Sequence, residues 1–160
     1  MRIAAMTLAH AEDLVTWRYP PPYDCYDVTD VAPEFFADSA SGFVALVSVG
    51  DGGSAGDGEL LGFRSFGADG RVPGGLYDES ALDTGGGLRP SLTGQGLGRE
   101  AISAGLAFGR ERFAPTAFRV TVASFNARAL KVVESLGFVR EDQFHATADG
   151  KPYRILVRRE

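Results

Sequence analysis

The chain has 160 residues and a mass of 17.0 kDa, enough for one domain with a hydrophobic core and too little for two substantial ones, so a single domain over 1–160 is expected. With 44% apolar and 23% charged residues it has the composition of a folded globular protein, which excludes general disorder. Its 16 Lys and Arg against 21 Asp and Glu leave a formal charge of -5, so no basic field exists to hold nucleic acid or an anionic membrane, and neither is expected as a partner.

Arg2–Met6 reads as a short first strand, after which Thr7 offers a hydroxyl cap to a helix from Ala9 to Trp17 with Glu12 and Asp13 early in it. Pro20, Pro21 and Pro22 end any helix there, because each removes an amide donor. Pro33 begins a second short helix carrying Phe35 and Phe36. Gly42–Val49 is apolar on both alternating faces and predicts a central strand covered on both sides. The glycine-rich Asp51–Gly58 reads as a hairpin loop delivering its antiparallel partner, Leu60–Phe66. Ala81–Leu88 is a weaker strand, diluted by Gly85, Gly86 and Gly87. Leu97, Ala101, Ala104 and Phe108 recur at helical spacing beside Ile102 and Gly105, so a long helix with a buried stripe follows. Phe118–Phe125 is the next strand. Asn126 caps a helix whose Ala129, Leu130, Val133 and Leu136 face inward while Arg128, Lys131 and Glu134 face water, and Gly137 closes it. A last hairpin, Phe138–Ala146 and Tyr153–Arg159, turns at Asp149-Gly150. The order is mixed α/β, with antiparallel hairpins early and late and helical crossovers between.

Glycine is the residue out of line: 21 of 160, nearly twice the usual share of about 7%. Between the weak strand and the long helix runs Leu88-Arg89-Pro90-Ser91-Leu92-Thr93-Gly94-Gln95-Gly96-Leu97-Gly98-Arg99. Alternating glycines at a helix start let successive amides turn toward one point, where the helix dipole adds positive potential, as a pyrophosphate cradle requires. A P-loop would need Gly-Lys-Ser/Thr where this chain has Gly98-Arg99-Glu100, and in a dinucleotide fingerprint the third glycine would come one residue later. Taken alone, the same glycines could simply permit the turn.

Together with this loop, Asn126-Ala127-Arg128-Ala129 through Leu136-Gly137-Phe138 resembles the GNAT superfamily of acyl-CoA-dependent N-acetyltransferases. Its phosphate loop reads Q/R-x-x-G-x-G/A, and its later helix reads N-x-x-A-x-x-x-Y-x-x-x-G-F. Asp83-Thr84-Gly85-Gly86-Gly87-Leu88-Arg89-Pro90 is similar to the strand before that loop, and the likeness covers nearly the whole chain. The resemblance implies a mixed, mostly antiparallel sheet of six to seven strands with helices on both faces, and a splayed parallel strand pair forming the acyl-CoA cleft. It implies transfer of an acetyl group from acetyl-CoA to a primary amine of a small molecule or protein, by direct attack in a ternary complex and without a metal. Leu88, Arg89 and Pro90 would line the pantetheine arm, Gly94, Gln95, Gly96, Leu97, Gly98 and Arg99 would hold the pyrophosphate, and Asn126 and Ala129 would complete the cofactor site. For Arg99 a solvent-facing role stays open, and Asn126 could be a plain helix cap. Asp83 stands where relatives carry a base, or is an ordinary strand-end aspartate. Thr93 and Val133 depart from the family pattern. Val133 replaces the tyrosine that protonates the leaving thiolate, so Tyr23 or Tyr26 is expected to supply that proton, or the chain is a non-catalytic acyl-CoA-binding module. Trp17, Tyr19, Tyr23, Asp24 and Tyr26 around the proline loop suit a cationic amine by cation–π and ionic attraction, or else pin that loop to the core. No apolar leader is visible, so a cytoplasmic protein is expected, and relatives often form homodimers.

Overall fold

The computed structural model describes residues 1–50 and 58–160; most of the expected hairpin loop Asp51–Gly58 lies outside the described residues. The strands are β1 (Arg2–Ala5), β2 (Phe43–Val47), β3 (Leu60–Phe66), β4 (Leu82–Leu88), β5 (Ala117–Ala123), β6 (Val139–His145) and β7 (Pro152–Arg159). The helices are α1 (Leu8–Leu14), α2 (Pro33–Ala37), α3 (Gly98–Phe113) and α4 (Ala127–Ser135). The strands make one sheet in the order β1-β2-β3-β4-β5-β7-β6. Neighbours are antiparallel except β4 and β5, which run parallel because α3 carries the chain back across the sheet between them. No helix among the described residues is long and apolar enough to cross a membrane.

Side-chain alternation gives the sheet two apolar faces. Ala45, Val47 and Leu60 pack with Leu14, Trp17 and Phe36 under α1 and α2. Phe118, Val120 and Val122 pack with Leu106, Leu130 and Val133 under α3 and α4. Phe118 is wholly buried, and each such large side chain contributes about 1.5–3 kcal/mol of transfer free energy.

Thr7 caps α1 as expected: its hydroxyl accepts from the His10 amide at 3.1 Å, and His10 Nδ1 accepts from the Thr7 amide at 3.3 Å. The helix is shorter than the apolar spacing suggests. It closes in a tight turn in which the Thr16 and Trp17 amides reach back to Asp13 and Leu14, so Glu12 and Asp13 lie toward its end rather than its start.

On α3 the buried stripe is Ala101, Gly105, Leu106 and Gly109, turned from the expected line through Ala104 and Phe108. Glycine explains the difference. A Cβ placed on Gly109 would lie 2.7 Å from Phe118 Cε1, and one on Gly105 would lie 2.7 Å from Arg64 Nε. The helix therefore approaches the sheet along the side where it lacks side chains, a contact that apolar periodicity does not register. Gly109→Val is expected to destabilise the protein by about 1–3 kcal/mol through overpacking against Phe118, read as a lower urea midpoint at unchanged m-value.

Candidate active site

The two parallel strands pair only at Leu82↔Phe118 and Asp83↔Arg119; beyond that β4 continues beside β3 and β5 beside β7. Gly86 is consequently exposed although it lies in the middle of a seven-stranded sheet, while Asp83 and Thr84 just before it are buried. The hydrogen-bond alternation shows what lines the gap. The Arg89 amide donates to Leu61 O at 2.8 Å, so Phe63/Gly87 and Ser65/Gly85 are also bonded pairs, and the main-chain groups of Gly86 and Leu88 point away from β3 into the opening. Glu160 and Ser124 donate to Thr116 O and Pro152 O, which assigns Val120 and Val122 to β7 and turns the main chains of Thr121 and Ala123 toward the same opening. The result is a wedge with peptide edges on both walls, suited to an extended ligand that carries amides of its own.

The vertex of the wedge is an ion pair. Arg119 Nε donates to Asp83 Oδ1 at 2.6 Å and its Nη2 to Oδ2 at 2.8 Å, while Arg71 Nε donates to Oδ2 at 2.8 Å. Asp83 is 1% exposed. This corrects the reading of Asp83 as a base: both oxygens are engaged by guanidinium groups, and the carboxylate ties the strands together where they part. The expected alternative, a strand-end aspartate in hydrogen bonds, is the one observed.

The proline loop spans the mouth. Tyr19 Oη donates to Leu88 O at 2.6 Å on the β4 wall, and Asn126 Nδ2 donates to Tyr26 Oη at 3.1 Å beside the β5 wall. Burial, with Asp27 nearby, pushes the Tyr19 phenol up to about 12. Burial also raises Tyr26, against the opposing hydrogen bond from Asn126. Both remain protonated at neutral pH. Tyr23 packs edge-on to Phe125, with ring centroids 5.4 Å apart, and carries the Arg128 guanidinium 4.4 Å above its ring. Asp24 is exposed on the same loop. Trp17 is the correction here: at 5% exposed it belongs to the α1 core, with its indole N–H on Asp13 and the Arg89 guanidinium over its ring, and it presents no surface to an acceptor.

The glycine loop follows β4 directly. Gly94 and Gly96 have φ of +75° and +81°, and α3 begins without a side-chain cap. The first amide to enter the helix ladder is Ala101, bonded to Leu97 O, and among the described residues the amides from Gly94 to Glu100 have no protein acceptor. They form an unclaimed donor set at a helix N-terminus, which fits a pyrophosphate. Side chains here serve the loop itself: Gln95 Nε2 donates to Ser91 O at 2.7 Å, and Arg99 Nη1 donates to Ser135 Oγ at 2.7 Å, tying α3 to α4. Arg99 thus offers its amide to the cradle while its side chain is held elsewhere. The Arg89 side chain is likewise engaged by Asp13 and Leu60 O and its amide by Leu61, which leaves Leu88 and Gly86, rather than Arg89, to present main chain to the wedge. Pro90 starts a short turn, and the Ala129 amide donates to Asn126 Oδ1 at 3.1 Å as the cap requires.

Arg128 is exposed, as its place on a solvated helix face implied; it also stacks on Tyr23, and a Cβ on Gly94 would lie 2.9 Å from its Nη1, so it stands at the cradle's edge. One residue escaped sequence reading. Arg64 is a charge inside an otherwise apolar strand, which was its only signal. Val133, where relatives carry tyrosine, is 2% exposed and packs with Leu106, Phe118 and Leu130, so a tyrosine introduced there would meet a filled core.

These features meet the expectation of a mixed sheet opening between parallel strands onto a glycine turn, the architecture of acetyl-group transferases. The chain belongs to the GNAT acetyltransferase family, whose domain model matches residues 2–139. Its fold is similar to that of a GNAT-family acetyltransferase from Bacillus anthracis, with TM-score 0.72, 16% identity, and 98% of this chain and 93% of that one covered. Aminoglycoside acetyltransferase AAC(6')-Ib, solved in complex with coenzyme A, matches with TM-score 0.71 at 17% identity over 99% of this chain and 94% of its own. A spermidine N-acetyltransferase variant from Vibrio cholerae matches with TM-score 0.69 at 16% identity over 99% and 95%. No curated protein matches the chain in sequence.

Asp83→Asn removes the carboxylate shared by Arg119 and Arg71 and leaves Arg119 only Asp78, and is expected to cost about 1–3 kcal/mol of unfolding free energy by urea titration. Asp78 is held at about 2 by the Ser80 hydroxyl and amide and by Arg119, against 3.8 for a free aspartate. Because the folded value is the lower one, its contribution to stability is present above 3.8 and is lost as pH falls toward 2. A carboxyl NMR titration of Asp78 is expected to show its midpoint below that of a free aspartate.

Proposed function

We propose that this protein transfers an acetyl group from acetyl-CoA to a primary amine, of a small molecule or a protein, by direct attack in a ternary complex in the cytoplasm. The observation that carries the proposal is the wedge between β4 and β5, with Gly86 exposed at mid-sheet and the unclaimed amides from Gly94 to Glu100 at its outer end. The amides of Gln95, Gly96, Leu97, Gly98 and Arg99 would hold the pyrophosphate, with Arg128 beside them. The main chains of Leu88 and Gly86 would pair with the pantetheine arm, and a Gly86 N–H facing the wedge would polarise the thioester carbonyl. Asn126 holds Tyr26; the protonated Tyr26 hydroxyl would donate to the departing sulfur, and Tyr23 and the exposed Asp24 would give a cationic amine aromatic and ionic company. Tyr19 fixes the β4 wall through Leu88 O. With Asp83 engaged at the vertex, water takes the proton released by the amine. Structural neighbours that act on aminoglycosides and spermidine support a polyamine-like acceptor.

Coenzyme A at about a hundred times its Kd is expected to raise the melting temperature by about 5–10 °C. Gly96→Val is expected to abolish that rise, because a β-branched residue resists φ of +81° and would stand over the amides. Thiol release from acetyl-CoA with spermidine or an aminoglycoside is expected, and Tyr26→Phe is expected to slow it by about tenfold or more. No melting shift with either coenzyme A or acetyl-CoA would overturn the proposal. Binding without thiol release across an amine panel would instead favour the acyl-CoA-binding module that Val133 suggests.

A further inference from the structure

Arg64 on β3 is 5% exposed and has no carboxylate partner among the described residues. Its Nη2 donates to Thr84 Oγ1 at 3.1 Å, and its Nε has no acceptor among the described residues. Arg119 and Arg71, on the opposite face of the sheet, are by contrast paired with Asp83. Val44 on β2 and Gly86 on β4 sit opposite Arg64 in register, and Thr84 on β4 and Gly105 on α3 meet its side chain; none of these four is titratable. Desolvation lowers the guanidinium to about 10, so it stays charged at neutral pH. An enclosed cation with an unused donor is costly to maintain and is relieved by an anion brought close to it.

Its position says where that anion would be. A Cβ on Gly86 would lie 2.8 Å from Arg64 Nη1, so the guanidinium packs directly against the exposed glycine of the wedge. The strand β4 runs from the vertex at Asp83 through Gly86 and Leu88 to the phosphate cradle. A ligand anchored there by pyrophosphate and extended along β4 brings its far, sulfur-bearing end to Gly86. We propose that Arg64 compensates the negative charge of the sulfur at this end of the wedge, so that the donor leaves as a thiolate rather than a thiol. The inference rests on the acyl-CoA reading above.

In the transfer the amine nitrogen forms a bond to the acyl carbon, the carbon–sulfur bond breaks with its electron pair going to sulfur, and the nitrogen's proton passes to water. Full protonation by Tyr26 is uphill, because burial holds its phenol above an ordinary tyrosine and an unperturbed thiol ionises near about 8.5. A hydrogen bond from Tyr26 and the charge of Arg64 stabilise the thiolate without a proton transfer. Such an arrangement accounts for a chain that has Val133 in place of the family's tyrosine.

The test is the pH dependence of coenzyme A affinity, by calorimetry between pH 6 and 10, with desulfo-coenzyme A as the control that lacks the thiol. If Arg64 lowers the bound thiol by about one unit, the Kd of coenzyme A falls about tenfold across its titration relative to the control. Arg64→Lys is expected to keep this thiol-specific change and Arg64→Met to remove it, with coenzyme A still raising the melting temperature of both. Coenzyme A and the control showing the same pH profile in the wild-type protein would overturn the inference while leaving the acyl-CoA reading intact. So would a thiol-specific change that persists in Arg64→Met. Failure of both ligands to bind the wild-type protein would overturn the acyl-CoA reading itself.

Discussion

Two strands that run side by side and then part need a fastening at the point of divergence, and Asp83 with Arg119 provides it. They are the last residues of β4 and β5 in register, and their two parallel hydrogen bonds close the sheet just before it opens. Arg71 binds the same carboxylate, and Arg119 continues to Asp78 at 2.9 Å, so the vertex is a network rather than a lone pair. On the other face Phe118, Val120 and Val122 keep the β5 side fixed to α3 and α4. The wedge is rigid at its closed end for both reasons, and its open end is spanned by the tyrosine loop.

The glycines divide along the same geometry. Gly105 and Gly109 bring α3 down onto Arg64 and Phe118, and Gly86, with φ of +150°, has no room for a side chain beside Phe63 O. Gly94 and Gly96 turn the cradle. An excess that composition alone would assign to flexible loops therefore serves close packing at several points, with α3, β4 and the cradle placed relative to each other by absent side chains.

Charge is distributed with similar economy. The arginines near the wedge on the α1 and α2 face are neutralised by aspartates, and Arg64 on the α3 face has, among the described residues, a hydroxyl partner in Thr84 but no carboxylate. The two phenols at the mouth are held neutral by burial, where they can donate hydrogen bonds but part with a proton only reluctantly. The protein thus supplies fixed dipoles and the buried cation of Arg64 around the place where acyl transfer would develop negative charge, which is how a site of low dielectric acts on such a reaction.

The sequence alone determined what depends on neighbours in the chain: the Thr7 and Asn126 caps, the hairpin strand Leu60–Phe66, the glycine turn before α3, and through its two motifs the family. Only the tertiary structure decided which distant groups meet. Asp83 finds Arg119 across 36 positions, Tyr19 finds Leu88 across 69, and Asn126 finds Tyr26 across 100. Those pairings turned the expected base into a clamp, moved Trp17 from the acceptor surface into the core and exposed the isolation of Arg64. Local propensity is encoded by residue type and spacing, whereas the partner of a charge or a phenol is set by sheet register and helix rotation, which no short stretch of the chain specifies.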